Sequence, residues 1–284
     1  MKLVRILLPI NRDGTTDACV AIAVALAKRL HIELQVLHPC AQLSANLTAL
    51  SVASSQFSTF SPGPGPIVTE EAIELARTQS SLGRRRAKAW SKKITKNFPN
   101  IASTFVSSEG PVDTLVATYA RLADFTVVPS VPEADDSFWP DVRNGALLSS
   151  GRPMLVVPPH ATRYRGDTIV VAWKDRPETI RAVVAAAPFL ANAKLVRIIS
   201  VAEPDQDKRS LTGIADYLSC AGVAVKATTV SENSAIGEIL VAKSAEAGML
   251  VMGTSGRSQL REWVFGGATH HVLRNTTVPT LMMH

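Results

Sequence analysis

The chain has 284 residues, 46% hydrophobic and 19% charged, with 30 Lys+Arg against 24 Asp+Glu and a net charge of +6. That apolar content excludes a disordered chain, and at roughly 150 residues per domain the length predicts two globular units. Three cysteines without a C-x-x-C pair exclude a zinc ribbon or a disulfide framework and suit a reducing compartment, and 5% aromatics argue against base-stacking platforms.

Near the start, Ile6-Leu7-Leu8-Pro9 is a short apolar run ended by Asn11-Arg12-Asp13. It predicts a buried parallel strand and not a signal peptide. Residues 18–30 form an Ala-rich amphipathic stretch, and 32–38 a second apolar strand. Residues 40–69 make a long loop ending in Ser61-Pro62-Gly63-Pro64-Gly65-Pro66. This loop reads as a surface excursion or, more sharply, as a lid or partner-binding segment. The uncharged stretch 34–69 is too polar for a bilayer span, so a cytoplasmic protein with no membrane association is expected. A basic run follows: Arg84-Arg85-Arg86, Lys88, Lys92, Lys93 and Lys96. Trp90 and Ile94 on the same predicted helix are spaced to dock on the sheet, and a solvated helix face fits the modest net charge better than a nucleic-acid surface.

Residues 112–123 predict a helix, Asp124-Phe125-Thr126-Val127-Val128 a strand, and Arg152-Pro153-Met154-Leu155-Val156-Val157 a closing strand. After a Pro- and Gly-framed linker at 158–166 the same order returns. Ile169-Val170-Val171-Ala172 matches the first strand, 178–190 the first helix and 195–201 the second strand; 236–247 and Gly248-Met249-Leu250-Val251-Met252 follow. Val278-Pro279-Thr280-Leu281-Met282-Met283 closes the second half. Alternation of this kind predicts α/β architecture, two tandem open parallel-sheet domains of Rossmann-like type at 1–159 and 166–284. Cys19 and Cys220 fall within helical apolar patterns, so core packing is expected for both.

One segment carries chemistry. Gly253-Thr254-Ser255-Gly256-Arg257-Ser258 runs on to Phe265-Gly266-Gly267-Ala268-Thr269, between an apolar strand and a helical pattern. It falls beyond the carboxyl end of a parallel strand, where open sheets bind ligands. Gly253 and Gly256 allow close backbone approach, and Gly266-Gly267 opens a helix whose free N–H groups favour a phosphate. Hydroxyls of Ser255, Ser258 and Thr269 add hydrogen-bonding capacity. No G-x-x-x-x-G-K-[ST] phosphate loop is present.

Gly253, Gly256 and Gly266 fall at the spacing Gly, two residues, Gly, nine residues, Gly, which resembles the nucleotide-binding signature of the universal stress protein family. Tandem forms with two such domains are familiar in that family, so the resemblance covers the whole chain. It implies the adenine nucleotide alpha hydrolase-like fold in two copies, packed as a pseudo-dimer through their last strands. It also implies one ATP or related adenine nucleotide per chain, with or without Mg2+, with no or very slow hydrolysis and no metal-bound catalytic apparatus. By similarity, Met252, Gly253, Gly256, Arg257, Gly266, Gly267, Ala268 and Thr269 line the phosphate and ribose side, and Ala172, Trp173, Lys174 and Val201 flank the adenine. Homo-oligomers and protein partners of a stress-response regulator fit the same resemblance.

Two positions depart from the family pattern. Gly267 stands where a Ser or Thr is usual, and Lys174 where an Asp is common, with Asp175 one place later. A Lys can contact phosphate but accepts no hydrogen bond. The first half departs further: Pro129-Ser130-Val131-Pro132-Glu133-Ala134-Asp135-Asp136 replaces the glycines, proline lacks the N–H a phosphate needs, and Gly145 and Gly151 are wrongly spaced. Gly14 reads as a turn residue. His270-His271 sits at a helix start with no partner placed by motif, so helix-face histidines are expected in place of a general base. The function expected is nucleotide-dependent regulation through the second half; the alternative is an interaction protein with vestigial sites in both.

Overall fold

The computed structural model describes residues 3–40, 70–130, 138–200, 208–230, 235–254 and 267–284. Strand and helix alternate in the order expected. The first half holds β1 (Arg5–Pro9), α1 (Asp17–Leu30), β2 (Glu33–Cys40), α2 (Glu70–Asn97), β3 (Ser103–Glu109), α3 (Val112–Ala120) and β4 (Phe125–Pro129). It ends with α4 (Phe138–Asn144), a π-helical turn (Gly145–Ser149) and β5 (Met154–Val157). The second half holds β6 (Thr168–Trp173), α5 (Pro177–Leu190), β7 (Leu195–Ser200), α6 (Lys208–Cys220) and β8 (Val225–Thr229). It ends with α7 (Ile236–Ser244), β9 (Met249–Gly253), α8 (Gly267–Asn275) and β10 (Thr280–Met283).

Local chemistry sets these boundaries. Thr16 caps α1 by accepting from the Cys19 N–H at 3.2 Å; Asp17 lies in the first turn and Lys28 and Arg29 in the last, each complementing the helix dipole. His31 ends the helix in the left-handed region at φ 54°. Pro177 opens α5, where its missing N–H is no loss. No helix among the described residues is long and apolar enough to cross a membrane.

The ten strands form one sheet in the order β3-β2-β1-β4-β5-β10-β9-β6-β7-β8. Every neighbouring pair is parallel except β5 and β10, which are antiparallel with Leu155 opposite Leu281. The halves are thus related by a pseudo-twofold axis through that seam, as the resemblance implied. Met154, Leu155, Val156, Thr280, Leu281 and Met282 are all fully buried there.

Each face of the sheet carries one core, and each core runs unbroken across the seam. One joins Phe125 and Leu155 to Phe189 and Leu281 beneath α1 and α5; the other joins Met154 and Val142 to Met282 and Val272. Aromatic contacts tie the halves together: Phe189 meets Phe125 edge-on at 5.8 Å and Tyr164 of the linker at 6.2 Å, and Arg29 lies 5.7 Å from the Tyr164 ring. Ser130, just past β4, donates its hydroxyl to the Leu273 carbonyl at the end of α8 at 2.7 Å.

Two glycines show how equivalent contacts were solved differently. In the first half a Cβ on Gly145 would collide with the Asp113 carbonyl oxygen of α3; in the second a Cβ on Gly237 of α7 would lie 2.6 Å from the His271 Cβ of α8. Counting back from Pro153 and Pro279, Gly145 and His271 are equivalent positions. The same helix crossing therefore places its glycine on opposite partners in the two halves.

Cys19 is buried as expected, its thiol pushed up to about 11 by that burial. Cys220 is a correction: it is exposed. The buried face of α6 is Leu211, Ile214 and Leu218, and two residues beyond Leu218 the helix has turned about 200° away.

Gly145→Ala and Gly237→Ala should each lower unfolding free energy in urea by about 1–3 kcal/mol through overpacking. Helix propensity alone would raise it by roughly 0.5–1 kcal/mol, so the sign decides whether these crossings are as tight as described. Tyr164 provides a pH test. Burial pushes its phenol up to about 12, against the nearby Arg29 charge, so the neutral ring stabilises the fold fully below pH 10, the ordinary tyrosine value. That contribution should be lost between pH 10 and 12, by up to about 2 kcal/mol, and Tyr164→Phe should flatten the decline measured by denaturant titration across that window.

Candidate functional site

The crevice expected to hold a ligand lies where strand order reverses. β6 leads through α5 to β7 on one side, and its other neighbour β9 leads through α8 to β10 on the opposite side. At the carboxyl ends of this pair Ala172 and Met252 are register partners, the first half-buried and the second buried. Lys174, Asp175 and Arg176 follow in the exposed turn before α5, and none of the three has an ion-pair partner among the described residues.

Trp173 is turned away from this crevice. Its side chain is buried with Val171 and Leu211 in the α5–α6 core, and its indole N–H donates to Ser210 of α6 at 3.0 Å. Strand alternation explains this: Trp173 shares the face of Ile169 and Val171, while Ala172 shares that of Val170. Gly253 also has a packing reason for its identity. A Cβ there would lie 2.5 Å from the Thr179 nitrogen and 2.6 Å from the Glu178 carbonyl carbon, so the glycine lets the end of β9 meet the first turn of α5. Gly267 differs, because a Cβ there would meet none of the described residues within 4 Å. Ala268 is half-buried and Thr269 buried in the same first turn of α8. Val201, Ser255, Gly256, Arg257, Ser258 and Gly266 lie outside the described residues, as do 41–69 and the acidic run from Glu133 to Asp136.

The equivalent place in the first half is built otherwise. Gly14, at φ +103°, bridges to Asn11 in a tight turn, and a Cβ on it would strike the Trp90 indole of α2, so its role is the turn expected for it. Pro129 stands where Gly253 does, each preceding a residue whose N–H reaches the last carbonyl of the closing strand: Ser130 to Val157 and Thr254 to Met283, both at 2.8 Å. α4 opens on Phe138, whose ring meets Trp139 edge-on at 5.0 Å.

Sequence reasoning missed a polar cluster at the ends of β2 and β3. His38 and Ser107 are register partners, as are Cys40 and Glu109. The His38 Nδ1 lies 3.1 Å from the Ser107 Oγ and 3.2 Å from the Cys40 Sγ, with Sγ and Oγ 3.5 Å apart. Arg84 of α2 lies 3.9 Å from Glu109. A histidine and a cysteine two apart at the end of β2 were the available signal; their partner Ser107 is 69 residues from His38, beyond any local pattern.

Residues 183–284 match the model of the universal stress protein family. No curated protein matches the chain. A universal stress protein from Archaeoglobus fulgidus DSM 4304 superposes with a TM-score of 0.67 at 15% identity, over 98% of this chain and 95% of that one. A putative universal stress protein from Pseudomonas aeruginosa UCBPP-PA14 superposes with a TM-score of 0.61 at 12% identity, over 99% and 93% respectively. The chain therefore has the tandem fold seen in universal stress proteins, and over residues 183–284 its sequence is similar to that family. The family match begins within α5, after Lys174, where the sequence leaves the family pattern.

Gly253→Ala should destabilise the protein by about 1–3 kcal/mol in the absence of any ligand, because α5 blocks the new methyl group. Gly267→Ala should leave stability unchanged or raise it by up to about 1 kcal/mol. Equal effects, read from thermal or urea unfolding, would contradict the packing described for the two glycines.

Proposed function

We propose that the chain is a universal-stress-type regulatory protein built from units at 1–159 and 166–284, the second binding one ATP or related adenine nucleotide and the first acting as its degenerate partner. The observation that carries this reading is the first turn of α8. It opens at Gly267 with no described residue within 4 Å of the Cβ position, and it follows the sequence with the family's glycine spacing. Unpaired N–H groups of a first helical turn and the helix dipole favour phosphate oxygens. Gly266, Gly267, Ala268 and Thr269 would hold the phosphates there, with Gly253, Gly256, Arg257 and Met252 along the phosphate and ribose side. Ala172 and Val201 would flank the base.

Lys174 is the cation available to make up for the hydroxyl missing at Gly267, since it is exposed beside the crevice without an ion-pair partner among the described residues. Trp173 would contribute indirectly, by fixing the end of β6 through its bond to Ser210. Hydrolysis would be slow or absent, and occupancy would act by changing the surface formed by 253–267.

Calorimetric titration of the full chain should give one adenine nucleotide per chain. Gly256→Val should abolish binding, because a branched side chain enters the phosphate space. Lys174→Ala should weaken ATP more than adenosine, by about ten- to a hundredfold, the range of a charge-assisted contact. Gly267→Ser should tighten ATP by about tenfold at most. Two nucleotides per chain, or none, would overturn the reading, and equal losses for ATP and adenosine would remove Lys174 from the phosphates.

A further inference from the structure

The cluster at the ends of β2 and β3 contains a nucleophile, a base and a cation. Val36, His38 and Cys40 share one face of β2, and Phe105, Ser107 and Glu109 the same face of β3, since Val36 and Phe105 both pack in the core under α2. The Sγ of Cys40 is 3.2 Å from the His38 Nδ1, within reach of proton transfer. Burial, and then the Arg84 charge, hold the His38 imidazole below its ordinary range, so at neutral pH the ring is uncharged and one of its two nitrogens is an acceptor. Arg84, anchored by Glu109, brings positive charge to the same corner. By register with β6, the position equivalent to His38 in the second half is Ser200, so this constellation belongs to the first half alone.

We propose that Cys40 is a nucleophilic thiol, activated by His38, that a small hydroperoxide oxidises to the sulfenic acid. The Nδ1 of His38 takes the thiol proton, and the sulfur lone pair attacks one peroxide oxygen. The O–O bond breaks, and the departing alkoxide or hydroxide recovers the proton from Nδ1. Sulfur gains one oxygen and loses two electrons; the peroxide becomes an alcohol or water. Positive charge at Arg84, held at the same corner by Glu109, favours the departing oxyanion. Size selects the reagent, because Cys40 is only 8% exposed and a peroxide of two or three heavy atoms reaches a sulfur that bulky electrophiles do not.

The chain carries its own controls: Cys19, buried and with its thiol pushed up to about 11, and Cys220, exposed at the end of α6. The full chain is treated with hydrogen peroxide, the peroxide is quenched, and the protein is unfolded into dimedone so that reagent size does not limit trapping; each cysteine is followed by peptide mass spectrometry. Cys40 should be trapped at least about tenfold faster than Cys220, with Cys19 unlabelled, whereas the bulky reagent 5,5′-dithiobis(2-nitrobenzoate) should modify Cys220 first. His38→Asn should slow Cys40 about tenfold or more and leave Cys220 unchanged. Arg84→Gln, on the exposed face of α2 where folding is not at stake, should slow Cys40 several-fold. A native Cys40 no faster than Cys220 towards peroxide overturns the proposal, as does a rate unaltered by both substitutions. Faster attack on Cys40 than on Cys220 by the bulky reagent overturns the size selection.

Discussion

The pairing of β5 with β10 is the contact on which the molecule depends. A half-sheet that ended on Met154-Leu155-Val156-Val157, or on Thr280-Leu281-Met282-Met283, would present an apolar edge with a row of unpaired backbone groups. Joining the two edges removes both, and a twofold relation lets one kind of edge serve twice. The join has to be antiparallel, and this reverses the direction of the strands from one half to the other. The carboxyl ends of β6 and β9 therefore lie on the opposite rim of the sheet from those of β1, β2 and β4. The crevice between β6 and β9 and the Cys40 cluster are separated for this reason, and both cores still run through the seam beneath them.

The common frame leaves the loop ends free to diverge. Gly253 and Pro129 end equivalent strands, and the residue after each sends its N–H to the same carbonyl position. Yet one end admits α5 against the bare backbone, and the other carries a ring with no N–H to offer. Helix lengths diverge as well: α2 runs for 28 residues and α6 for 13. The longer helix brings Trp90 to Gly14 and Arg84 to Glu109, so side chains of α2 reach the rim of the first half. Two copies of one fold thus differ at their loop ends while sharing one frame.

Most of the fold was legible in the sequence because its signals are local. Apolar runs of four to six residues, Ala-rich helices and closing Pro-containing strands recur in the same order, and parallel strands so separated admit little besides right-handed crossovers. The glycine spacing between β9 and α8 was legible for the same reason, since a motif and the strand before it are contiguous in the chain. The seam came from the resemblance, supported by two terminal strands too apolar to leave uncovered.

What the tertiary structure decided were relations between distant residues. Cys220 looked buried in an apolar window, but the phase of Leu211, Ile214 and Leu218 turns it outward. Trp173 adjoins the crevice in sequence, yet strand alternation sends its indole to Ser210. Gly253 is required by packing whatever it binds, because α5 lies against it, whereas a Cβ on Gly267 would meet none of the described residues within 4 Å. Composition and order along the chain determined which elements form and how they connect. Register, helix phase and close approach between segments far apart in sequence decided what each side chain meets, because those distances exist only once the sheet has assembled.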